Sequence, residues 1–171
     1  MPTSDHSVST QSQDQLPFRT AMEAKDLAAV RDAFAPDARL RSPLTNRLVF
    51  TGRDQIAAVT EVIFEVFEDF RYTGEVRSGD TVVLLAQARV GGEDLETAEH
   101  LRLGPDGKIT EATVFFRPLP GTTAALRLIG AGLGRRKSPA LGLVMSVLTR
   151  PLAFVTRSSD GFGVRLVRSA L

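Results

Sequence analysis

Glu99 is the residue whose setting in this chain most suggests chemistry. Over residues 95–103, LETAEHLRL, the side chains of Leu95, Thr97, Glu99, Leu101 and Leu103 share one strand face, while Glu96, Ala98, His100 and Arg102 share the other. That division follows from the alternation of successive side chains along a strand. One carboxyl therefore stands in a row of apolar residues. In such a place its charged form loses hydration, which raises the pKa and lets the group donate a hydrogen bond or act as general acid or base near neutrality. The structural alternative is that Glu99 pairs with an arginine of the same sheet or lies at a dimer interface. His100 is the second candidate base, because a one-residue slip of register would turn it inward in place of Glu99. Its polar neighbours, Arg102 among them, suit a solvated or interface histidine equally well.

The elements that position Glu99 can be read on either side of it. The turn Gly104-Pro105-Asp106-Gly107 joins its strand to Lys108–Arg117 as a hairpin, since Pro fixes φ and Gly permits positive φ. Further strands are expected over Phe70–Arg77 and Thr81–Val90, separated by Gly- and Asp-containing turns. Ahead of this four-strand antiparallel meander lie short helices at Phe18–Ala24 and Leu27–Phe34, the second capped by Asp26 and stopped by Pro36. Extended pieces follow at Ala38–Ser42 and Leu48–Phe50. A helix then starts after Thr51-Gly52 with the apolar stripe Ile56, Val59, Ile63, Phe64 and Phe67, expected to be the longest in the chain. Helices first and hairpins second argue for an α+β class, a cone-shaped α+β barrel whose curved antiparallel sheet wraps the N-terminal helices and leaves a pocket between them.

Composition narrows the chemistry. The chain has 171 residues, 43% of them apolar, with no cysteine and two histidines, His6 and His100. Disulfides, thiolate metal sites and histidine-rich metal centres are excluded, and any catalysis is expected to proceed without metal or cofactor. Residues 1–120 carry 13 basic and 19 acidic side chains, whereas residues 121–171 carry 8 and 1, so the two parts are about −6 and +7. Gly130, Gly132 and Gly134 precede Arg135-Arg136-Lys137. A phosphate loop needs a strand before its glycines, and here Ala124–Ile129 reads as helix, so the glycines are expected to end or loosen that helix. No aromatic-basic interleaving of the kind that stacks nucleic-acid bases is present, and nucleic-acid binding is not expected.

The segments FRTAMEAKDLAAVRDAFAPDARLRSP, FTGRDQI and EHLRLGPDGKI resemble the nuclear transport factor 2-like superfamily, including SnoaL-like cyclases and ketosteroid isomerases, over roughly residues 16–118. The resemblance implies the cone-shaped fold, a homodimer through the outer sheet face bearing Glu111, Thr113, Phe115 and Arg117, and isomerases, cyclases, hydrolases or non-catalytic binders as functions. The isomerase branch uses a helix-1 tyrosine, an aspartate base and a strand acid. Those positions match Phe18, Ser42 and Glu99 here, so only the acid carries over. The last-strand aspartate of the epoxide hydrolase branch matches Val114. The resemblance and the alternation together point to a pocket formed by Phe18, Met22, Ser42, Phe64, Phe67, Leu101, Val114 and Phe116 around Glu99.

Three parts of the chain follow: a disordered leader over residues 1–15, the α+β barrel over 16–118, and a basic, apolar extension over 119–171 that packs on the barrel. The leader is rich in Ser, Gln and Asp and lacks the apolar core of a secretory signal, which suggests a cytoplasmic protein. The extension reads as helices at Pro120–Leu133 and Ala140–Leu148 with breaks at Pro139 and Pro151, and a weak edge strand at Phe162–Leu166. It is expected to cap the cone and line the pocket with Leu126, Ile129, Leu133, Val144 and Leu148; basic contact with an anionic membrane surface is the alternative. Two functional classes remain open. One is a cofactor-free isomerase or cyclase using Glu99; the other is a module that binds a small hydrophobic molecule without chemistry.

Overall fold

The computed structural model describes residues 15–137 except Leu44 and Asn46. The chain opens with helices α1 (Pro17–Glu23) and α2 (Leu27–Ala33), followed by strands β1 (Phe34–Arg41) and β2 (Val49–Thr51) and helix α3 (Arg53–Val66). Strands β3 (Phe67–Ser78), β4 (Thr81–Val90), β5 (Glu93–Leu103) and β6 (Ile109–Arg117) come next, and helix α4 (Leu119–Lys137) ends the described part. The Asp26 side chain caps α2 by accepting from the Ala29 amide at 3.0 Å, satisfying one of the donors a helix start leaves open. Proline at the first position of α1 loses nothing, because that amide has no intrahelical acceptor.

Strands β3 to β6 form the expected meander, each antiparallel to the next, and β1 joins β6 in parallel, giving the order β2-β1-β6-β5-β4-β3. The sheet is curved and open. Register shifts in the β3–β4 pairing after Glu68 and Tyr72, and in the β1–β6 pairing after Phe34, bend it around the helices, since a bulge adds a residue to one strand and increases its twist. Asp69 lies at the first β3 shift with φ of 52°, where the local bend requires positive φ. On the concave side one apolar cluster gathers Phe18, Met22, Val30, Phe34, Ile56, Leu84 and Leu101 against α1, α2 and the start of α3. A second gathers Val59, Val62, Phe67, Val90, Leu95, Ala125 and Ile129 between α3, α4 and the sheet. Each wholly buried side chain, such as Leu84, Leu95 or Leu101, contributes ~1.5–3 kcal/mol through loss of water contact.

Several expectations are corrected. Strand β2 is shifted by one residue from the expected Leu48–Phe50, and β1 begins already at Phe34, so Pro36 lies within a strand beside its bulge instead of ending a helix. Helix α3 is not the longest: among the described residues α4 is, at 19 residues against 14. Gly130, Gly132 and Gly134 do not end α4, which runs through all three to Lys137. The reason is contact: a Cβ built on Gly132 would stand 2.4 Å from Val62 Cγ1, so α4 needs glycine there to lie against α3. Near its start, a Cβ on Gly121 would stand 2.2 Å from the Asp94 carbonyl oxygen, so the same helix also presses on β5. Val144, Leu148, the helix at Ala140–Leu148 and the strand at Phe162–Leu166 lie outside the described residues, as does all but the last residue of the leader. Among the described residues no helix is long and apolar enough to cross a membrane.

Candidate functional site

The β5 alternation is realised with Glu99 inward and His100 outward. Glu99 is buried between Leu84 of β4 and Val114 of β6, its cross-strand neighbours, while His100 is exposed on the convex face. The partner of Glu99 is not an arginine. Tyr72 Oη of β3 donates to Glu99 Oε2 at 3.1 Å, reaching across β4 where the strand offers only the small Ala86. The phenol stands edge-on to Phe70 at 5.0 Å between ring centroids, with the Arg19 guanidinium 5.8 Å from the ring centre. Burial pushes the Glu99 carboxyl up from 4.5 to about 7, with the Tyr72 hydrogen bond opposing that rise to a smaller extent. Burial, and then the nearby Glu99 charge, hold the Tyr72 hydroxyl well above its ordinary value, so the phenol keeps its proton. Near neutrality the pair shares one titratable proton, a condition suited to donating or accepting it.

At the other end of the concave side an apolar cavity of about 390 Å³ opens between the β1–β2 loop, β6, α3 and α4. Its walls are Leu40 and Phe50 from the hairpin, Val59 and Ile63 from α3, and Val114 and Phe116 from β6, closed above by Leu126, Ile129 and Leu133 of α4. Gly130 and Gly134, one helical turn apart, face the same space and keep it open by contributing no side chain. Ser42 supplies a hydroxyl, and no charged side chain lines the cavity. Leu48, 42% exposed, marks the mouth. Arg136 fastens α4 over the cavity, donating to the Ala58 carbonyl oxygen at 2.6 Å and pairing with Glu61 at 3.0 Å and Glu65 at 2.9 Å on α3.

The eight residues grouped by the sequence do not share one wall. Ser42, Val114 and Phe116 line the cavity. Phe18, Met22 and Leu101 belong to the buried cluster on the α1 side, with Phe64 packed on its edge, and Phe67 belongs to the cluster beneath α4. Aromatic contacts link the two ends: Phe116 meets Phe67 at 6.2 Å, Phe67 meets Phe70 at 6.5 Å, and Phe70 meets Tyr72. Glu99 stands one strand away from the cavity wall, beside Val114. Leu126, Ile129 and Leu133 of the extension take the lining positions expected of them.

Tyr72 is the candidate-site residue that sequence reasoning missed. It is the only tyrosine in the chain, and its hydroxyl reaches the carboxyl from β3, whereas the isomerase pattern looks for a hydroxyl on the first helix, where this chain has Phe18. The usable signal was the strand pattern, since Phe70 and Tyr72 alternate onto one face. The bulges on both sides of Tyr72 hide that signal by breaking the period.

The model of the SnoaL-like domain family matches residues 17–112. Among solved structures, a steroid delta-isomerase from Pseudomonas aeruginosa is 31% identical with a TM-score of 0.61, the match covering 72% of this chain and 88% of that one. A bacterial protein with a cystatin-like fold from Silicibacter pomeroyi DSS-3 is 27% identical with a TM-score of 0.64, covering 75% and 89%. A protein with a ketosteroid isomerase-like fold from Catenulispora acidiphila DSM 44928, solved in complex with trimethylamine, shares the fold at 20% identity and a TM-score of 0.51, covering 67% and 89%. No curated protein matches the chain. The matched region runs from α1 into β6, through both the helices that fill the cone and the strand that carries Glu99, and on that ground this chain belongs to the SnoaL-like domain family.

Proposed function

We propose that the protein binds a small hydrophobic molecule in the cavity beneath α4. The observation that supports this most is the character of the walls, which are aliphatic and aromatic throughout apart from the Ser42 hydroxyl. Such a cavity rewards transfer of an apolar body from water by ~25 cal/mol per Å² of surface buried and penalises an unpaired charge. The family hosts small-molecule binders as well as isomerases and cyclases, and the fold alone does not choose among them.

A second reading, a cofactor-free isomerase or cyclase, is favoured by the Tyr72–Glu99 pair, which carries a proton in the neutral range next to the cavity wall. In that reading Glu99 is the acid or base and Tyr72 its positioning partner. The absence of a hydroxyl at Phe18 and of a carboxylate at Ser42 weighs against it, because turnover by proton transfer ordinarily divides acid and base between groups. His100, on the opposite sheet face, has no part in either reading.

Native mass spectrometry of the protein and of Glu99→Gln, each incubated with apolar ketones, polyketide-like aromatics and fatty acids, tests both. Unchanged ligand retained by both forms supports binding. A product formed by the native chain and not by Glu99→Gln supports the enzyme, and retention by neither form overturns the cavity reading.

We also propose self-association through the convex sheet face. Leu85, Ala98 and Phe115 stand in register across β4, β5 and β6, and Leu85 and Phe115 are exposed there at 44% and 58%. Light scattering is expected to return twice the chain mass and to fall to one chain with Phe115→Asp; a single-chain mass for the unaltered protein overturns the dimer.

A further inference from the structure

Strand β3 ends the sheet, so the backbone amide and carbonyl on its outer edge have no further strand to meet. Free edge groups of this kind have to be hydrated or covered. At Tyr72 helix α1 covers them with side chains: Glu23 Oε1 accepts from the Tyr72 amide at 2.7 Å, and Arg19 Nη2 donates to the Tyr72 carbonyl oxygen at 3.3 Å. Arg19 and Glu23 lie four residues apart and so share a helix face, with Arg19 Nε 3.9 Å from Glu23 Oε1. At the start of the same helix the Leu16 amide donates to Glu75 Oε1 at 3.2 Å, and Glu75 Oε2 stands 4.0 Å from Arg19 Nη1. Helix α1 is thereby laced to the edge of β3 on both sides of Arg19.

Tyr72 depends on such a hold more than its neighbours do. The pairing of β3 with β4 shifts between Glu68 and Arg71 and again between Tyr72 and Gly74, so the ladder is irregular on both sides of it. Its hydroxyl, at the far end of a long side chain, makes the buried 3.1 Å hydrogen bond to Glu99, and a small change of backbone direction at Tyr72 would part the two. The charged and titratable groups facing the phenol are Glu99 from β5 and Arg19 and Glu23 from α1. Arg19 touches Tyr72 twice, through its carbonyl oxygen and through the ring, whose centre lies 5.8 Å from the guanidinium.

We infer that Arg19 and Glu23 are positioning residues for the Tyr72–Glu99 pair: bonded to the carbonyl and amide of Tyr72, they take the place of a further strand and keep its hydroxyl within reach of Glu99. For function the inference rests on the catalytic reading proposed above, since only there does the pair carry out a step. Glu23 is the stronger hold, because its bond is the shorter of the two and an ionised carboxylate accepting a backbone N–H makes a charge-assisted hydrogen bond. Neither residue touches Glu99 directly; both act through the strand that carries Tyr72.

Tyrosine fluorescence of the full chain tests this, because Tyr72 is the only tyrosine and there is no tryptophan. A carboxylate hydrogen-bonded to a phenol quenches its emission by accepting the proton in the excited state, which a protonated carboxyl does not do. Emission should therefore fall as the pH rises through about 7, where Glu99 loses its proton, and Glu99→Gln should abolish that step. Glu23→Ala should remove most of the step, because the phenol then parts from the carboxyl, and Glu23→Gln, which keeps the accepting oxygen, should restore it. Arg19→Met, which keeps an unbranched stem and removes the donors, should remove a smaller share. Far-UV circular dichroism reports that each variant is folded, and Arg19→Met decides alone should Glu23→Ala not fold. An undiminished step in either folded variant, loss of the step in Glu23→Gln as in Glu23→Ala, or no step near pH 7 in the native chain overturns the inference. None of these readouts requires product formation, so the catalytic reading stands or falls separately on the comparison of the native chain with Glu99→Gln.

Discussion

The two ends of the concave face treat polarity in opposite ways. At the α1 end a carboxyl and a phenol are buried together among Leu84, Leu101 and the helices, held by one hydrogen bond. At the α4 end the space is left open and its walls carry no charge. The same curved sheet floors both, with Val114 and Phe116 of β6 walling the cavity and Glu99 and Thr97 of β5 directly beside them. Polarity is concentrated on one strand and the cavity wall on the next. The comparison holds only if the two ends are separately alterable.

The largest expected effect belongs to the polar end. The Glu99 carboxyl is pushed up to about 7 in the fold from an ordinary 4.5, so the folded chain holds that proton more tightly than the unfolded chain does. Stability from this group is therefore fully present below about pH 4.5 and is lost as the pH rises through about 7. At 1.36 kcal/mol per pKa unit the total is ~3 kcal/mol. Glu99→Gln carries no titrating proton, so the stability of the native chain relative to this variant should fall by that amount between about pH 4 and pH 8. Urea unfolding at a series of pH values measures it. Parallel curves for the two proteins would mean that Glu99 is hydrated or paired in a way that removes the polar end from the comparison.

A pair of glycine substitutions in α4 separates the cavity from its lid. Gly132 abuts Val62, so Gly132→Val forces the two helices apart and should cost about 2 kcal/mol, in the range of overpacked cores. Gly130 faces open space, so Gly130→Leu should fill the cavity and abolish probe uptake, with a stability gain of up to about 1 kcal/mol from better helix propensity. Thermal unfolding and 2-methylnaphthalene titration read the two effects. If Gly130→Leu still binds the probe at the native affinity, the ligand does not occupy this cavity.

How much of this could be read from residues alone differs by element. The β5–β6 hairpin was legible because alternation and a Pro-Gly turn specify register locally, and with the register came Glu99 on the inner face. Helices α1 to α3 were legible from stripes and from the Asp26 cap. Helix α4 was legible over Pro120–Leu133 but its run on to Lys137 was not, because three glycines in its second half each lower helix propensity by ~1 kcal/mol. What offsets that cost at Gly132 is contact with Val62, which no local pattern reveals. Tyr72 was hidden for a related reason: its meeting with Glu99 depends on two register shifts in β3 and on the smallness of Ala86 in the strand between. The candidate site was thus half visible, its carboxyl by pattern and its partner only by tertiary placement.

The smallest expected effect tests whether the lid moves. Arg136 joins α4 to α3 through Glu61, Glu65 and the Ala58 carbonyl, all near the surface, and surface ion pairs of this kind contribute ~0–1 kcal/mol. Arg136→Ala should therefore lower overall stability by less than about 1 kcal/mol, because α4 stays anchored by Ala124, Ala125 and Ile129 in the core beneath it. Its effect should instead fall on kinetics. Loosening the last turns of α4 frees Leu133 and Gly134 in the cavity roof, so a bound apolar probe should leave several times faster while the pH dependence conferred by Glu99 stays unchanged. Stopped-flow displacement of 2-methylnaphthalene reads the rate. An unaltered rate would place the path into the cavity at Leu48 and the β1–β2 loop, whereas a changed pH dependence would show that the two ends of the concave face are mechanically one.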